Sequence, residues 1–220
     1  MTKIDHLKKI SESKKPFIIY KSDKGFDLYT DFSKKIILTD NNIKNFINKA
    51  TQFKPKNKET DLFIGFFGYE VLNKLIGIKI KNQKGLKFPK GIFYKPETKI
   101  KLQNKLDYKN LKPINSKKSF KVNINKDSYR VIFDKFKKKI KSGETYQIKI
   151  CTKYNNEAKI DALDFFSRLV KTNMAPEAFM IKDINYSIIS CSPENLIIKK
   201  NNFITTKPIA GTLKKTKKLN

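Results

Sequence analysis

The sequence predicts an α+β domain built on large antiparallel β-sheets. Short runs of strand-forming residues dominate the chain, and most gaps between them are too short for the crossover helices that parallel strands need. Only a few segments carry apolar residues at helical spacing instead. A length of 220 residues is sufficient for such a domain to bury its own core.

The first half of the chain is predicted to be mostly strands. Residues 42–52 are the exception, because Ile43, Phe46 and Ile47 share one face of a short amphipathic helix. The predicted strands are residues 17–20, 35–38, 62–67, 91–94, 99–102 and 120–122.

The clearest helix is predicted over residues 126–142. Asn125 or Asp127 can cap its start, and Gly143 suits the left-handed conformation that often ends a helix. Lysines occupy one face of this helix, and the opposite face carries an apolar stripe made of Tyr129, Ile132, Phe133, Phe136 and Ile140.

Strands return in the last third of the chain. Residues 145–154 alternate between apolar and polar side chains and predict a strand, and residues 161–172 predict a second helix. Asn201 and Asn202 fit a tight hairpin turn. The remaining predicted strands are residues 179–181, 186–191, 196–198 and 203–206.

The net charge of +29 raises the question of a nucleic-acid partner. Only Arg130 and Arg168 among the 49 basic residues are arginines, although arginine is preferred for bidentate contacts to bases and phosphates. The lysines are spread over the whole chain and do not form one block. We therefore interpret the charge as a solvated surface and expect no nucleic-acid partner. A small basic nucleic-acid-binding module is the alternative.

Histidine and membrane signals are nearly absent from the sequence. His6 is the only histidine, which excludes a histidine-based triad or zinc cluster within these residues. There is no signal peptide and no apolar run long enough to span a membrane. We expect a soluble, cytoplasmic protein without a membrane partner.

Two motifs near the carboxyl terminus indicate a ligand site. Ser192-Pro193-Glu194 ends a predicted strand, and Pro208-Ile209-Ala210-Gly211-Thr212 follows the next hairpin. The glycine allows the backbone to approach a ligand, and the threonine hydroxyl and adjacent amides can donate to an anion. The carboxylate can serve the same ligand as an acid or base. Each motif by itself is also typical of an ordinary turn.

Together these motifs resemble the chorismate-utilising enzymes, which include the anthranilate synthase large subunit, the synthase subunit of aminodeoxychorismate synthase, and the isochorismate and salicylate synthases. Four segments resemble the motifs of that family in the same order along the chain. They are residues 65–70 (GFFGYE), 143–148 (GETYQI), 173–176 (NMAP) and 190–194 (SCSPE).

The resemblance implies two large antiparallel sheets that face each other, with helices outside. Residues 1–60 are expected to form amino-terminal strands and a helix of the synthase domain, and residues 61–220 the first part of the chorismate-binding domain. Members of the family are considerably longer. We therefore expect a fragment that stops after the Pro-Ile-Ala-Gly-Thr motif and that is inactive by itself.

The resemblance also implies a chemistry. In this family a nucleophile adds to the ring of chorismate, the ring hydroxyl leaves, and some members eliminate pyruvate. Glu194 is the implied catalytic acid or base, and its alternative role is that of a surface carboxylate paired with lysine. Mg²⁺ is the implied cofactor, with ligands expected in the second half of the family sequence and no metal ligand assigned here. The implied substrate-binding residues are Ile209, Ala210, Gly211 and Thr212.

Two positions favour one branch of the family. Members that add water carry a lysine where this chain has Gln147, and a neutral amide cannot abstract a proton, so Gln147 fits ammonia as the nucleophile. Aminodeoxychorismate synthases often carry a nucleophilic lysine where this chain has Ala210. The resemblance therefore favours an anthranilate synthase large subunit that receives ammonia from a glutaminase partner. The alternative is an aminodeoxychorismate synthase subunit of folate biosynthesis.

Asn173 and Pro176 mark a candidate regulatory pocket by the same resemblance. Glu177 replaces the aromatic residue that usually follows this segment in the family. The Leu-Leu-Glu-Ser segment of tryptophan-regulated members has no counterpart near residues 17–21. Both departures argue against feedback inhibition by tryptophan.

Overall fold

The computed structural model describes residues 3–56, 59–77, 88–102, 106, 119–173, 175–209 and 211. The chain divides into two compact units. The first unit comprises Met1–Lys109 and Ala162–Asn220, and the second comprises Asn110–Asp161.

The described residues form five helices and ten strands, which we number in chain order. The amino-terminal part of the first unit contains α1 (Lys3–Glu12), β1 (Phe17–Ser22), β2 (Gly25–Ile37), α2 (Ile43–Gln52), β3 (Ile64–Phe67), α3 (Glu70–Ile76) and β4 (Gly91–Leu102). The second unit contains β5 (Lys121–Val122), α4 (Lys126–Lys141) and β6 (Tyr154–Asn155). The first unit resumes with α5 (Ala162–Asn173), β7 (Glu177–Lys182), β8 (Ser187–Ser192), β9 (Ile198–Lys200) and β10 (Phe203–Thr205).

A six-stranded sheet organises the first unit. Its strand order is β3-β4-β2-β1-β7-β8, and every neighbouring pair is antiparallel. The predicted α+β class with antiparallel pairing is therefore confirmed. The separately predicted strands 91–94 and 99–102 are one strand, β4, because β2 pairs with it from Ile37 to Phe26. Two further two-stranded sheets join β9 to β10 and β5 to β6.

Both faces of this sheet are packed near β1. Phe17 and Ile19 belong to a core cluster that includes Leu7 of α1 and Phe166 of α5. Ile18 points to the opposite face, because side chains alternate along a strand, and belongs to a second cluster. Burial on both faces explains why β1 begins with three consecutive apolar residues, Phe17 to Ile19, instead of an alternating pattern.

Two helices of the first unit were not predicted. Leu7 of helix α1 is 2% exposed and packs against the sheet. This packing, more than a long apolar stripe in the sequence, stabilises the helix. Helix α3 has seven residues and ends at Gly77, whose φ of 74° lies in the left-handed region. The predicted helix at 42–52 is confirmed as α2, and its Phe46 packs against Phe93 with ring centroids 4.7 Å apart.

The second unit contains the longest helix and one wrong prediction. Helix α4 begins and ends as predicted, since Asn125 accepts a hydrogen bond from the Ser128 amide at 2.8 Å and Gly143 has a φ of 76°. The strand predicted over 145–154 is wrong, because only Tyr154 and Asn155 pair with a neighbour. An alternating pattern forms a strand only where a partner strand accepts its hydrogen bonds.

The predicted turn at Asn201 and Asn202 is confirmed. Asn201 has a φ of 52° and connects β9 to β10 in a hairpin. Among the helices that the structure describes, none combines the length and apolar character needed to cross a lipid bilayer.

Candidate active site

The Ser-Pro-Glu motif lies at the end of β8, an edge strand of the large sheet. The Ser192 hydroxyl donates to the backbone oxygen of Glu194 at 2.9 Å, and the Glu194 amide donates to the Ser192 hydroxyl at 3.3 Å. These reciprocal bonds make a compact turn of the kind that serine side chains form with nearby backbone. The turn holds the backbone of Glu194 where the chain leaves the sheet.

The hairpin of β9 and β10 returns the chain to Glu194. Ile198 pairs with Thr205, so the residues before and after the hairpin lie side by side. The backbone amide of Ile209 then donates a hydrogen bond to Oε1 of Glu194 at 3.2 Å. The two motifs singled out in the sequence therefore meet, with the carboxylate of one against the backbone of the other.

Gly211 has a φ of 79°, a conformation that side chains other than glycine rarely adopt. An added Cβ would meet nothing within 4 Å, so the glycine is required by backbone geometry and not by close packing. Ile209 is exposed beside it. Ala210 and Thr212 lie outside the described residues. The substrate-binding role of this segment stays a prediction.

The side chain of Glu177 connects the Ser-Pro-Glu turn to the sheet through hydrogen bonds. Glu177 is the first residue of β7 and lies opposite Ser192 of β8. Its Oε1 accepts a hydrogen bond from Nδ2 of Asn195 at 2.7 Å, and its Oε2 accepts one from the Tyr20 hydroxyl at 2.6 Å. Burial and the bond to Glu177 raise the pKa of Tyr20 above its usual value. Sequence reasoning noted Glu177 only as a departure from the family pattern and missed this role.

The segment that includes the candidate regulatory residues lies beside the end of β1. Asn173 ends α5, Pro176 is exposed just before β7, and Nζ of Lys21 donates to the backbone oxygen of Ala175 at 2.6 Å. A regulatory role for Asn173 and Pro176 stays a prediction.

Gln147 lies in the second unit and is exposed. The strand expected to carry it is absent, and its backbone oxygen accepts a hydrogen bond from the Thr145 hydroxyl at 3.2 Å. Its catalytic role stays a prediction.

The magnesium ion that the resemblance implies has no ligand assigned among the described residues. No three side chains of histidine, cysteine, aspartate or glutamate gather in the described part of the chain. Mg²⁺ prefers a set of oxygen ligands that includes carboxylates. One or two carboxylates with water or substrate oxygens can hold this ion, so the cofactor stays a prediction.

Comparison with known proteins identifies one family. The model of the chorismate binding enzyme family matches residues 10–220. The chain is 23% identical over 182 residues to an anthranilate synthase component I-like protein of Synechocystis sp., and 27% identical over 195 residues to an anthranilate synthase component 1 of Buchnera aphidicola. It is 28% identical over 94 residues to an aminodeoxychorismate synthase component 1 of Bacillus subtilis.

These matches cover unequal shares of the proteins. They cover 71%, 72% and 43% of this chain. They cover 38%, 37% and 20% of the respective relatives, so the chain spans well under half the length of the curated relatives it matches.

Proposed function

This chain belongs to the chorismate binding enzyme family, and from that premise we propose that it forms part of an anthranilate synthase large subunit. In this proposal the enzyme converts chorismate and ammonia to anthranilate, pyruvate and water. The ammonia comes from glutamine through a glutaminase partner, and the reaction takes place in the cytoplasm.

The hydrogen bond from the Ile209 amide to Glu194 Oε1, at 3.2 Å, is the observation that carries the proposal. Loss of the ring hydroxyl requires a proton, and a carboxyl group can supply it. Backbone amides can bind a carboxylate of chorismate beside that acid. Because Glu194 lies against the segment of Ile209 and Gly211, the proton donor and the anion-binding amides can act on the same bound chorismate.

The assignment to the anthranilate branch rests on two residue types. Gln147 cannot act as a base for water, which fits ammonia as the nucleophile. Ala210 has no nucleophilic group that could attack the ring before ammonia does. Aminodeoxychorismate synthase is the second candidate, because the chain also resembles members of that name from Bacillus subtilis and Escherichia coli.

Product analysis separates the two candidates. The protein is incubated with chorismate, an ammonium salt and Mg²⁺, and the products are resolved by liquid chromatography. Anthranilate supports the proposal, whereas aminodeoxychorismate favours the alternative. Because the chain spans well under half the length of its curated relatives, the assay is run both on the 220-residue chain and on the chain with any adjoining coding sequence.

Chorismate binding to the 220-residue chain is measured in parallel by nuclear magnetic resonance. Amide shifts at Glu194, Ile209 and Gly211 would support a shared ligand site. Unchanged spectra with chorismate in millimolar excess would contradict it. A gel-shift series with duplex DNA at increasing salt tests the nucleic-acid alternative, which requires steeply salt-dependent binding.

A further inference from the structure

A cavity of about 670 Å³ lies in the first unit, between α1 and the strands β2 and β4. This volume is within the usual range for sites that bind small molecules. Its apolar wall is formed by Ile10, Pro16, Phe32, Tyr94 and Ile100. In the sheet, β1 and β7 separate β2 from β8, so the cavity is distinct from the candidate active site that follows β8.

Two aromatic rings form part of the apolar wall. The ring centroids of Phe32 and Tyr94 are 4.9 Å apart. The Tyr94 hydroxyl donates a hydrogen bond to Asp183 at 2.6 Å, so Tyr94 offers the cavity its ring and not its polar group. Aromatic rings pack favourably against one another in tilted or offset arrangements. This part of the wall therefore suits a planar aromatic ligand.

The charged residues of the wall do not select a ligand with a net charge. Lys9 has an interaction partner, and the Lys35 ammonium binds Asp183 at 2.6 Å. The other two charged residues among the described lining, Lys15 and Asp31, are exposed and have opposite charges that offset each other. A charged ligand would lose hydration in an apolar cavity without a surplus of the opposite charge to stabilise it. The wall therefore favours an uncharged ligand.

The buried polar group of the wall is oriented to accept a hydrogen bond. Thr30 is buried and lies directly opposite Thr98 in the pairing of β2 with β4, and both line the cavity. The Thr30 hydroxyl donates to Oδ2 of Asp31 at 2.9 Å, because a carboxylate oxygen has no proton to give. A hydroxyl has a single proton, so the Thr30 oxygen has only lone pairs left for a ligand. A ligand that donates a hydrogen bond satisfies them.

We propose that this cavity binds an uncharged aromatic molecule that donates a hydrogen bond, such as a phenol. The ring of the ligand packs against Phe32 and Tyr94, and its hydroxyl donates to the Thr30 oxygen. The ligand class follows from three features of the wall, namely the aromatic pair, the offset charges and the committed proton of Thr30.

The test compares three probes with the same ring on the 220-residue chain. 2-Naphthol is neutral at pH 7 and donates a hydrogen bond, 2-methoxynaphthalene is neutral and cannot donate, and naphthalene-2-carboxylate is an anion. The sequence contains no tryptophan, so the fluorescence anisotropy of each probe can be followed without tryptophan emission from the protein. We expect 2-naphthol to bind about fivefold more tightly than the methyl ether, since one hydrogen bond separates them. The carboxylate should bind more weakly than 2-naphthol because its charge is buried without a partner.

The variant Thr30→Val removes the accepting oxygen and keeps the branched shape of the side chain. It should weaken 2-naphthol binding about fivefold and leave binding of the methyl ether within about twofold. The ether thus reports whether the cavity itself is intact in this variant. Thr205→Val, which changes an exposed threonine of β10 outside the cavity, is the matched control and should leave both affinities unchanged.

A second variant, Thr98→Leu, should weaken binding of all three probes because the larger side chain fills the cavity. Circular dichroism verifies that each variant is folded. Amide spectra of the original chain locate the bound 2-naphthol, and we expect the largest shifts at Thr30 and Thr98.

Tighter binding of 2-naphthol than of the other two probes, with the loss in Thr30→Val confined to 2-naphthol, supports the proposal. Equal affinity for 2-naphthol and its methyl ether overturns it, and so does tighter binding of the carboxylate. Full 2-naphthol binding by Thr30→Val, or an equal loss of both neutral probes, also overturns it, as does the absence of binding by the original chain. None of these measurements involves chorismate, so their outcome is independent of the proposed function.

Discussion

Glu194 accepts a hydrogen bond at 3.2 Å from the backbone amide of Ile209, which lies fifteen residues further along the chain. The hairpin of β9 and β10 makes this contact because it returns the chain beside its own entry point. A ligand that reaches the carboxylate therefore also meets the segment that ends at Gly211.

Replacement of Glu194 by glutamine should abolish proton transfer while keeping the shape of the side chain. If Glu194 is the acid, turnover of chorismate by the full enzyme should fall by about 10²- to 10⁴-fold. The Michaelis constant should change far less. Glu97→Gln, which alters an exposed carboxylate of β4, is the control. Equal turnover by the original protein and Glu194→Gln would remove Glu194 from the mechanism.

Replacement of Gly211 by alanine should weaken chorismate binding. Its φ of 79° makes any side chain strained by about 1–2 kcal/mol. Gly77 is a matched control, because its φ is 74° and an added Cβ there also meets nothing within 4 Å. We expect comparable strain in both variants but weaker chorismate binding only in Gly211→Ala, measured by isothermal titration. A similar loss in Gly77→Ala would assign the effect to general destabilisation.

Removal of the Glu177 side chain should release the Ser-Pro-Glu turn. Glu177→Ala breaks the bonds from Tyr20 and Asn195, and the amides of residues 194–197 should then exchange hydrogen faster. The Tyr20 pKa should move down towards its ordinary value, because burial decreases and the neighbouring carboxylate is lost. Tyrosinate absorbance during alkaline titration measures this shift, with Tyr20→Phe identifying the signal. Unchanged exchange at 194–197 would contradict a positioning role for Glu177.

The buried carboxylate of Asp183 should make stability depend on pH in the acid range. Burial alone would raise its pKa, but hydrogen bonds from Lys35, Tyr94 and the Ile184 amide outweigh burial and lower the pKa to about 2. A carboxyl group with a lowered folded-state pKa stabilises the fold above its unfolded pKa of about 3.9. That contribution is lost as the pH falls towards 2.

We therefore expect Asp183→Asn to lose about 2 kcal/mol of unfolding free energy at neutral pH, and less as the pH falls below 4. Urea unfolding between pH 2 and 7 measures both effects. Asp40→Asn breaks an exposed pair with Lys90 and should cost under about 0.5 kcal/mol. Parallel pH profiles for the original protein and Asp183→Asn would exclude Asp183 as the source of the acid dependence.

Predictions from the sequence are correct where a few neighbouring residues determine the local structure. Asn125 and Gly143 delimit α4 because capping and the left-handed ending involve only residues within one helical turn. Asn201 marks the β9–β10 turn for the same reason. The failure at 145–153 has the opposite cause, because a strand requires hydrogen bonds from a distant partner.

The sequence by itself determined the α+β class, the helix α4 and the residue types of the two carboxyl-terminal motifs. Only the tertiary structure decided that Glu194 meets Ile209, that Glu177 links Tyr20 to Asn195, and that the pairing of β2 with β4 shifts register between Phe32 and Lys34. The physical reason is the range of the interactions. Propensity and capping act between near neighbours, whereas strand pairing and side-chain hydrogen bonds join residues whose proximity exists only after the chain has folded.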